Sequence, residues 1–274
     1  MMQYNLQLWD HDTPAEAVDF IRESTGNGTA FVGFSGGKDS IVTAELMRMS
    51  GVKYELYYSF TGIDAPEVIR FIRKYYPGCK FLMPKRTFWR ELSVNTPPSD
   101  RFRWCCKLLK KMPSYPLSHT QRFFGIRAEE STRRASTGRS KTFFIDGQHK
   151  KTGRFFYQFF PIYYWKEWQI WDFIHDNNLP YPVLYDWGFD RIGCVICPFH
   201  SEKTGKLHAK YREHWPKYFD RFEKGITDLF TKRQRQGKKM FYPTAGEFLS
   251  AWYLDDTAWW YHPTNENQTI KAKL

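Results

Sequence analysis

The sequence predicts an α/β fold: a mostly parallel, twisted sheet with helices on both faces, followed by a mostly helical C-terminal subdomain. Three observations carry this. Short apolar runs alternate with amphipathic helical stretches over most of the chain, which is the pattern of parallel strands joined by helices. A glycine-rich turn links the first apolar run to the first long helix. From about residue 200 onward the pattern is helical. The expected division is a sheet domain over 1–199 and a helical subdomain over 200–274 packed on it.

The elements follow in order. Thr13-Pro14 supplies a cap and a first helical residue, and AEAVDFIRES continues as an amphipathic helix. Thr29 to Phe34 is an apolar run fit for a buried strand. Asp39 to Met49 is helical, with Ile41, Val42, Leu46 and Met49 on one side. Tyr54 to Phe60 reads as a second strand, Ala65 to Tyr76 as a helix, and Lys80 to Met83 as a third strand. Trp104 to Met112 reads as a helix that Pro113 ends. Arg122 to Ile126 is a fourth strand. Phe143 to Ile145 and Phe155 to Ile162 suit a hairpin. Trp165 to Asn177 is a helix, and Pro180 to Pro198 a loop rich in Pro, Gly and Tyr. Ser201 to Glu223 and Ala245 to Leu254 read as helices.

Composition excludes several classes. Aromatic residues make up 19% of 274 residues, too much bulky apolar material for a disordered chain. No apolar run reaches the roughly 18 residues of a membrane span. The opening MMQYNLQLWDHDTP lacks a basic-then-apolar signal pattern, so a cytoplasmic protein is expected, with no membrane partner. Five cysteines in a chain of this length do not form a disulfide scaffold. The net charge is +12, and it is uneven: Arg101 to Arg154 holds 14 basic and 3 acidic residues. Such a stretch is either a solvated surface or one that meets phosphates.

Ser35-Gly36-Gly37-Lys38-Asp39-Ser40 stands between a strand and a helix. Two glycines allow an anion close to the backbone. The first helical amides and the helix dipole favour negative charge there. Ser35 and Ser40 add hydroxyl donors, Lys38 a point charge, and Asp39 a ligand for Mg²⁺. Neither GxxxxGK[ST] nor GxGxxG is present, so this is a different class of phosphate loop.

Cys105-Cys106 lie side by side, and Cys194-Val195-Ile196-Cys197-Pro198 follows far downstream. Four thiolates suit Zn²⁺ or a [4Fe–4S] cluster. An adjacent pair fits the two CxxC knuckles of a zinc site poorly. Four buried, unligated cysteines are the remaining alternative. Cys79 lies outside this pattern and reads as core. His200, His208 and His214 are too loosely spaced for a second metal and read as surface residues. Phe155, Phe156, Tyr157, Phe159 and Phe160 read as strand core rather than a base-stacking set, and Trp165, Trp168 and Trp171 as helix core.

SGGKDS resembles the pyrophosphate-binding loop of the adenine-nucleotide α-hydrolase superfamily, the ATP pyrophosphatases, whose sheet is Rossmann-like. Three further stretches resemble the phosphoadenosine phosphosulfate reductase family within it. They are Thr61-Gly62-Ile63-Asp64-Ala65-Pro66-Glu67; Gly125-Ile126-Arg127-Ala128-Glu129-Glu130-Ser131 with Arg133; and Pro182-Val183-Leu184-Tyr185 with Gly188 and Arg191-Ile192-Gly193-Cys194. The resemblance implies that Ser35 to Ser40 hold the β and γ phosphates of ATP, that Thr61-Gly62 lies by the adenosine, and that Gly125 and Arg127 reach the α phosphate. It implies Lys38, Asp39 and Arg127 as the catalytic set. The CC…CxxC arrangement is similar to the [4Fe–4S] ligands of the adenylylsulfate reductase branch, which implies Cys105, Cys106, Cys194 and Cys197 as ligands and makes zinc the lesser alternative.

One departure bears on the reaction. Sulfonucleotide reductases use a further cysteine nucleophile after the last cluster ligand, and no cysteine follows Cys197 here. The full SGGKDS loop also suits ATP. The sequence is most similar to the iron–sulfur ATP pyrophosphatases of DNA phosphorothioation systems. That resemblance implies adenylation of a nucleic acid, DNA or tRNA, with sulfur supplied by a cysteine desulfurase or another donor. A phosphoadenylyl or adenylyl sulfate reductase, a tRNA thiolation enzyme and a non-catalytic nucleotide-binding regulator are the alternatives. Thr132 to Lys151 is expected to be a mobile basic loop over the site.

Overall fold

Thr13 begins the fold by capping the first helix. Its hydroxyl accepts the Glu16 amide, and the Glu16 carboxylate accepts the Thr13 amide at 2.6 Å, with Pro14 at the first helical position. The computed structural model describes residues 13–95, 97–99, 102–145, 153–200, 206–238, 240 and 242–254. In chain order its elements are α1 (Pro14–Ser24), β1 (Ala30–Gly33), α2 (Lys38–Ser50), β2 (Tyr54–Ser59), α3 (Pro66–Tyr75), β3 (Lys80–Leu82), α4 (Phe88–Leu92), β4 (Gln121–Phe124), α5 (Thr132–Ala135), β5 (Ser140–Phe144), β6 (Phe155–Phe159), α6 (Glu167–Asp176), α7 (Lys206–His214), α8 (Pro216–Arg235) and α9 (Ala245–Leu254).

The six strands form one sheet in the order β3-β2-β1-β4-β6-β5. All neighbours are parallel except β5, which closes the edge as an antiparallel partner of β6. The chain runs outward from β1 to β3, then returns to the other side of β1 as β4. This reversal is a topological switch point, where the loops at the carboxyl ends of two adjacent strands open together. Gly33 pairs with Phe124, so the loops after β1 and β4 leave from the same level.

Strand alternation sorts the two faces. Ala30 and Val32 of β1 and Phe123 of β4 join α1, α2 and α6 in one apolar cluster, where Val32, Phe123 and Trp165 are fully buried. Each large side chain buried this way contributes about 2–3 kcal/mol. On the opposite face Phe31 stacks on Tyr57 at 4.6 Å, and Arg122 lies over Phe156 and Phe31. Arg122 is 1% exposed, yet its guanidinium donates to His119 O, Leu117 O and Ser114 Oγ at 3.1 Å each. Burial lowers its pKa to about 10, and these neutral acceptors satisfy it without a carboxylate.

The chain divides into two compact units. The first comprises Met1–Phe60, Pro66–Met83 and Lys111–Ile192, and the second Thr61–Ala65, Pro84–Lys110 and Gly193–Leu274. The sheet belongs to the first. In the second, α8 buries Phe219, Phe222, Ile226, Leu229 and Phe230. Trp252 of α9 packs on Phe222 at 4.6 Å and donates its indole N–H to Pro98 O at 2.8 Å. Among the described residues, no helix is long and apolar enough to cross a membrane.

Several elements differ from expectation. The Trp104–Met112 helix is a π-helical turn over Cys106–Lys111 followed by a 3₁₀ turn at Met112–Ser114. The run over 201–223 breaks at Trp215, because Pro216 lacks the amide and sterically blocks a continuous helix; α8 then runs to Arg235. The basic loop expected over Thr132–Lys151 contains α5 and β5 instead, and its 146–151 portion lies outside the described residues. The polar Ser140-Lys141-Thr142 concealed β5 because an edge strand needs no apolar alternation. Helix α4 was unread, although Thr87 caps it by accepting the Arg90 amide.

Gly125 follows β4 directly. A Cβ there would fall 2.5 Å from Asp39 O and 2.9 Å from Thr43 Oγ1, so the exit of β4 and the first turn of α2 meet backbone to backbone. Gly125→Ala is therefore expected to cost about 1–3 kcal/mol by forcing these segments apart. Urea unfolding checks this, and an unchanged midpoint would contradict the close approach.

Candidate functional site

The phosphate loop is built from its own donors. Gly36 has φ +74°, a conformation that favours glycine. Ser35 donates its amide to Ser40 Oγ at 3.2 Å, Gly37 its amide to Ser35 Oγ at 3.3 Å, and Ser40 its hydroxyl to Gly37 O at 2.8 Å. Gly37 caps α2 with no side chain; the Lys38 amide, first in the helix, donates to the Tyr185 hydroxyl at 2.8 Å, and the Ser40 amide to Gly37 O at 2.9 Å. The loop is thus held by its own hydrogen bonds at the positive end of the α2 dipole.

Two cations stand at this loop, each held by local oxygens. Lys38 is 4% exposed, and its ammonium donates to Asp190 O at 2.7 Å and pairs with the Glu167 carboxylate at 3.0 Å. Arg127 is 3% exposed. Its Nε pairs with Asp39 at 2.5 Å and its Nη1 with Glu129 at 2.6 Å, while its amide donates to Glu130 at 3.0 Å. Burial works against the Arg127 charge, but Asp39 and Glu129 more than offset it and raise its pKa. Burial likewise pushes the Glu129 carboxyl up, yet Arg127 and the Glu167 amide hold it below the usual carboxylate range. Arg134 pairs with Glu130, so the segment after β4 is one linked set of charges.

Ser35, Gly36, Gly37, Lys38, Asp39, Ser40, Gly125 and Arg127 thus all lie in the first unit, and Asp39 ties the loop to Arg127. Tyr185, Glu167 and Asp190 also contact Lys38 and were not assigned from sequence. The only sequence signal for them was the PVLY stretch, which gave Tyr185 a motif but no role.

Thr61 and Gly62 lie in the second unit. Their amides converge on one Asp64 carboxylate oxygen at 2.7 and 3.3 Å, and Thr61 Oγ1 lies 3.6 Å from Cys194 Sγ. Val195 donates its amide to Ile63 O at 2.7 Å, which fixes this turn against the Cys194–Cys197 segment.

All four cysteines of the CC…CxxC pattern lie in the second unit, and Cys79 lies in the first. Cys105 hydrogen bonds Cys106, which with burial and the other thiols raises its pKa. Burial raises Cys194, against the opposing pull of Lys110 and Thr61. Burial and then Cys194 push Cys197 up to about 12. Lys110 is raised chiefly by Cys194, so a single cation serves several sulfurs. Among the described residues, no three His, Cys, Asp or Glu side chains are arranged around one metal position. The donor set itself fits a thiolate-bound group: four sulfurs from two segments share one charged neighbourhood, and Cys105, Cys194 and Cys197 are each disfavoured as lone anions. Cys106 opens a π-helical turn, an irregularity common at functional positions. Cys79 is buried and pushed up to about 12 by that burial, as a core thiol.

The remaining candidates resolve by packing. His200 stacks on Tyr211 at 4.0 Å, and His208 is buried against Trp252 at 4.7 Å, so His208 is a core residue and not the expected surface one. Phe156 and Phe160 are buried, whereas Phe155 and Tyr157 are exposed, although alternation along β6 puts them on the same face as Phe159, which packs against the core cluster. Trp165 is core and Trp168 is exposed.

Comparison with known proteins agrees with this architecture. An uncharacterized protein of Methanocaldococcus jannaschii is 31% identical over 202 residues, covering 69% of this chain and 45% of the relative. A second M. jannaschii protein is 28% identical over 230 residues, again with 45% of its length covered, so the chain spans less than half of each. The adenosine 5'-phosphosulfate reductase of Geobacillus kaustophilus is 26% identical over 187 residues, covering 63% of this chain and 74% of the enzyme. The phosphoadenylyl-sulfate reductase of Candida auris, solved as a phosphate complex, shares the fold with a TM-score of 0.50 and 16% identity, over 69% of this chain and 91% of that one. Residues 29–200, well over half of the sequence, match the phosphoadenosine phosphosulfate reductase domain, and the chain belongs to that family.

Proposed function

We propose that this protein is an ATP pyrophosphatase that adenylates a nucleic-acid substrate for sulfur insertion in the cytoplasm. The observation that carries the reading is the complete SGGKDS loop with buried Lys38 behind it and the Asp39–Arg127 pair beside it. In this reading that set supplies donors for a leaving pyrophosphate beside a planar cation for the α phosphate.

In this reading a substrate oxygen attacks the α phosphorus of ATP, the bond to the bridging oxygen breaks, and pyrophosphate leaves. The loop amides, Ser35, Ser40 and Lys38 take up the charge that grows on pyrophosphate. Arg127 swings from Asp39 toward the α phosphate, where a planar fork matches two oxygens at once. Asp39, so released, is a carboxylate suited to the Mg²⁺ that accompanies ATP. Thr61 and Gly62 are assigned to the adenosine. A sulfide-level sulfur then attacks the activated atom, and AMP leaves with the substrate oxygen; where the donor is a cysteine desulfurase persulfide, a two-electron reductant, a thiol, releases that sulfur from its carrier.

Cys105, Cys106, Cys194 and Cys197 would hold a [4Fe–4S] cluster, which supplies a site for electrons or sulfur during transfer. Lys110 then offsets the charge of the thiolates, and Thr61 donates toward Cys194. DNA phosphorothioation is the favoured process, with tRNA thiolation as the same chemistry on another polymer. A second reading has an observation of its own. The G. kaustophilus relative is named a reductase and aligns over 74% of its length, which supports reduction of a sulfonucleotide.

Three outcomes test the proposal. Lys38→Ala is expected to slow pyrophosphate release from ATP by at least about 100-fold with an unchanged circular dichroism spectrum; a wild-type rate removes Lys38 from the site. Protein purified anaerobically should contain iron and sulfide in cluster stoichiometry, and Cys106→Ser should lose the broad visible absorbance. Stoichiometric zinc instead would exclude the cluster. ATP–pyrophosphate exchange should depend on added DNA or tRNA, whereas sulfite release from adenylyl sulfate with thioredoxin would establish the reductase reading. Bound ATP without turnover on any substrate would support a regulator.

A further inference from the structure

Tyr185 has no place in the mechanism above, yet its hydroxyl accepts a backbone amide of the phosphate loop from outside it. The Lys38 amide, first in α2, donates to the Tyr185 hydroxyl at 2.8 Å. The Ser35 and Gly37 amides are spent on side chains of the loop, and the Ser40 amide on Gly37 O at 2.9 Å. The Lys38 amide differs because it points out of the loop, along the direction from which a helix N-terminus receives an anion. A Cβ at Gly37 would lie 3.3 Å from the Tyr185 oxygen, so glycine there keeps this approach open. We propose that the Tyr185 hydroxyl is a resident stand-in for a phosphate oxygen, seated on the Lys38 amide and displaced when a pyrophosphate group binds. This inference rests on the reading of the loop as an ATP site.

The chemistry favours such an exchange. One N–H makes one well-aligned hydrogen bond, so a phosphate oxygen and the phenol compete for it. An unfilled buried amide is costly, and a neutral hydroxyl meets that need in the empty state. A phosphate oxygen is the stronger acceptor because its bond is charge-assisted. The same segment releases the second donor. Tyr185 donates its amide to Pro182 O at 3.1 Å, Phe189 donates to Leu184 O at 3.0 Å, and the following Asp190 carbonyl accepts the Lys38 ammonium. The Tyr185 ring also lies 5.5 Å from that ammonium. One loop therefore covers both the amide and the ammonium of Lys38, and nucleotide must lift both contacts.

Tyr185→Phe separates the hydroxyl from the ring. The ring stays anchored edge-on to Trp171 at 5.0 Å and to Tyr181 at 6.3 Å. Calorimetric titration of the full chain with pyrophosphate should show the variant binding about three- to tenfold tighter than wild type, since its competitor is gone. Equal or weaker affinity overturns the proposal, the weaker case meaning that the hydroxyl donates to the anion instead. Site-resolved hydrogen exchange gives a second readout. The Lys38 amide should exchange faster in ligand-free Tyr185→Phe than in ligand-free wild type and equally slowly in both with pyrophosphate. Equal exchange without ligand would also overturn it. If wild type binds neither pyrophosphate nor ATP, the ATP reading fails, while the ligand-free exchange comparison still reports on the hydroxyl.

Discussion

The contact between the first turn of α2 and the exit of β4 is the constraint on which the rest of the site depends. Gly125 brings the β4 loop against Asp39 at backbone distance, and the Asp39 carboxylate then meets Arg127 at 2.5 Å. The sheet makes this possible, because β1 and β4 are hydrogen-bonded neighbours whose loops leave at one level. A residue with a side chain at 125 would separate the phosphate loop from its guanidinium. Parallel pairing, the strand reversal and one glycine thus converge on a single ion pair.

That pair explains how strong cations are kept nearly buried at one loop. Arg127 and Lys38 are both nearly buried, and isolated buried charges are costly. Each is neutralised by oxygens already present: Asp39 and Glu129 for Arg127, and Glu167 with the Asp190 carbonyl for Lys38. In the proposed ATP reading, binding of a polyphosphate exchanges partners rather than creating them. The net gain is the difference between two sets of charge-assisted bonds, which favours a ligand with several anionic oxygens over one with few.

Legibility from sequence followed the range of the interactions. The SGGKDS loop was readable because its chemistry is contained in six consecutive residues, and the strand–turn–helix context is equally local. β1, β2, β4 and β6 were readable because buried strands show as apolar runs, whereas β5 showed only at its Phe143-Phe144 end. The π-helical turn at Cys106–Lys111 was not, since its periodicity differs from a helix only in hydrogen-bond register. The break before Pro216 was present in the sequence, but the flanking helical pattern masked it. Tyr185 and Asp190 were beyond reach for a different reason. Their contacts with Lys38 join residues about 150 positions apart in sequence, and one of them uses a backbone carbonyl that any residue could supply.

The positive charge can now be divided by what each cation touches. Of the basic residues between Arg101 and Arg154, Arg122 is spent inside the core on neutral acceptors. Arg127 and Arg134 are paired with carboxylates, and Lys110 lies among the thiols. Lys111, Arg133 and Lys141 differ, since none forms an ion pair among the described residues. Burial lowers the Lys141 pKa, and its charged neighbours Lys111, Arg133 and Arg134 lower it further. A cation surrounded by like charges is destabilised until an anion arrives, and a phosphodiester supplies one at each step along a strand. The support for a nucleic-acid substrate therefore rests on this small cluster rather than on the total of +12, much of which the fold and the nucleotide site already use.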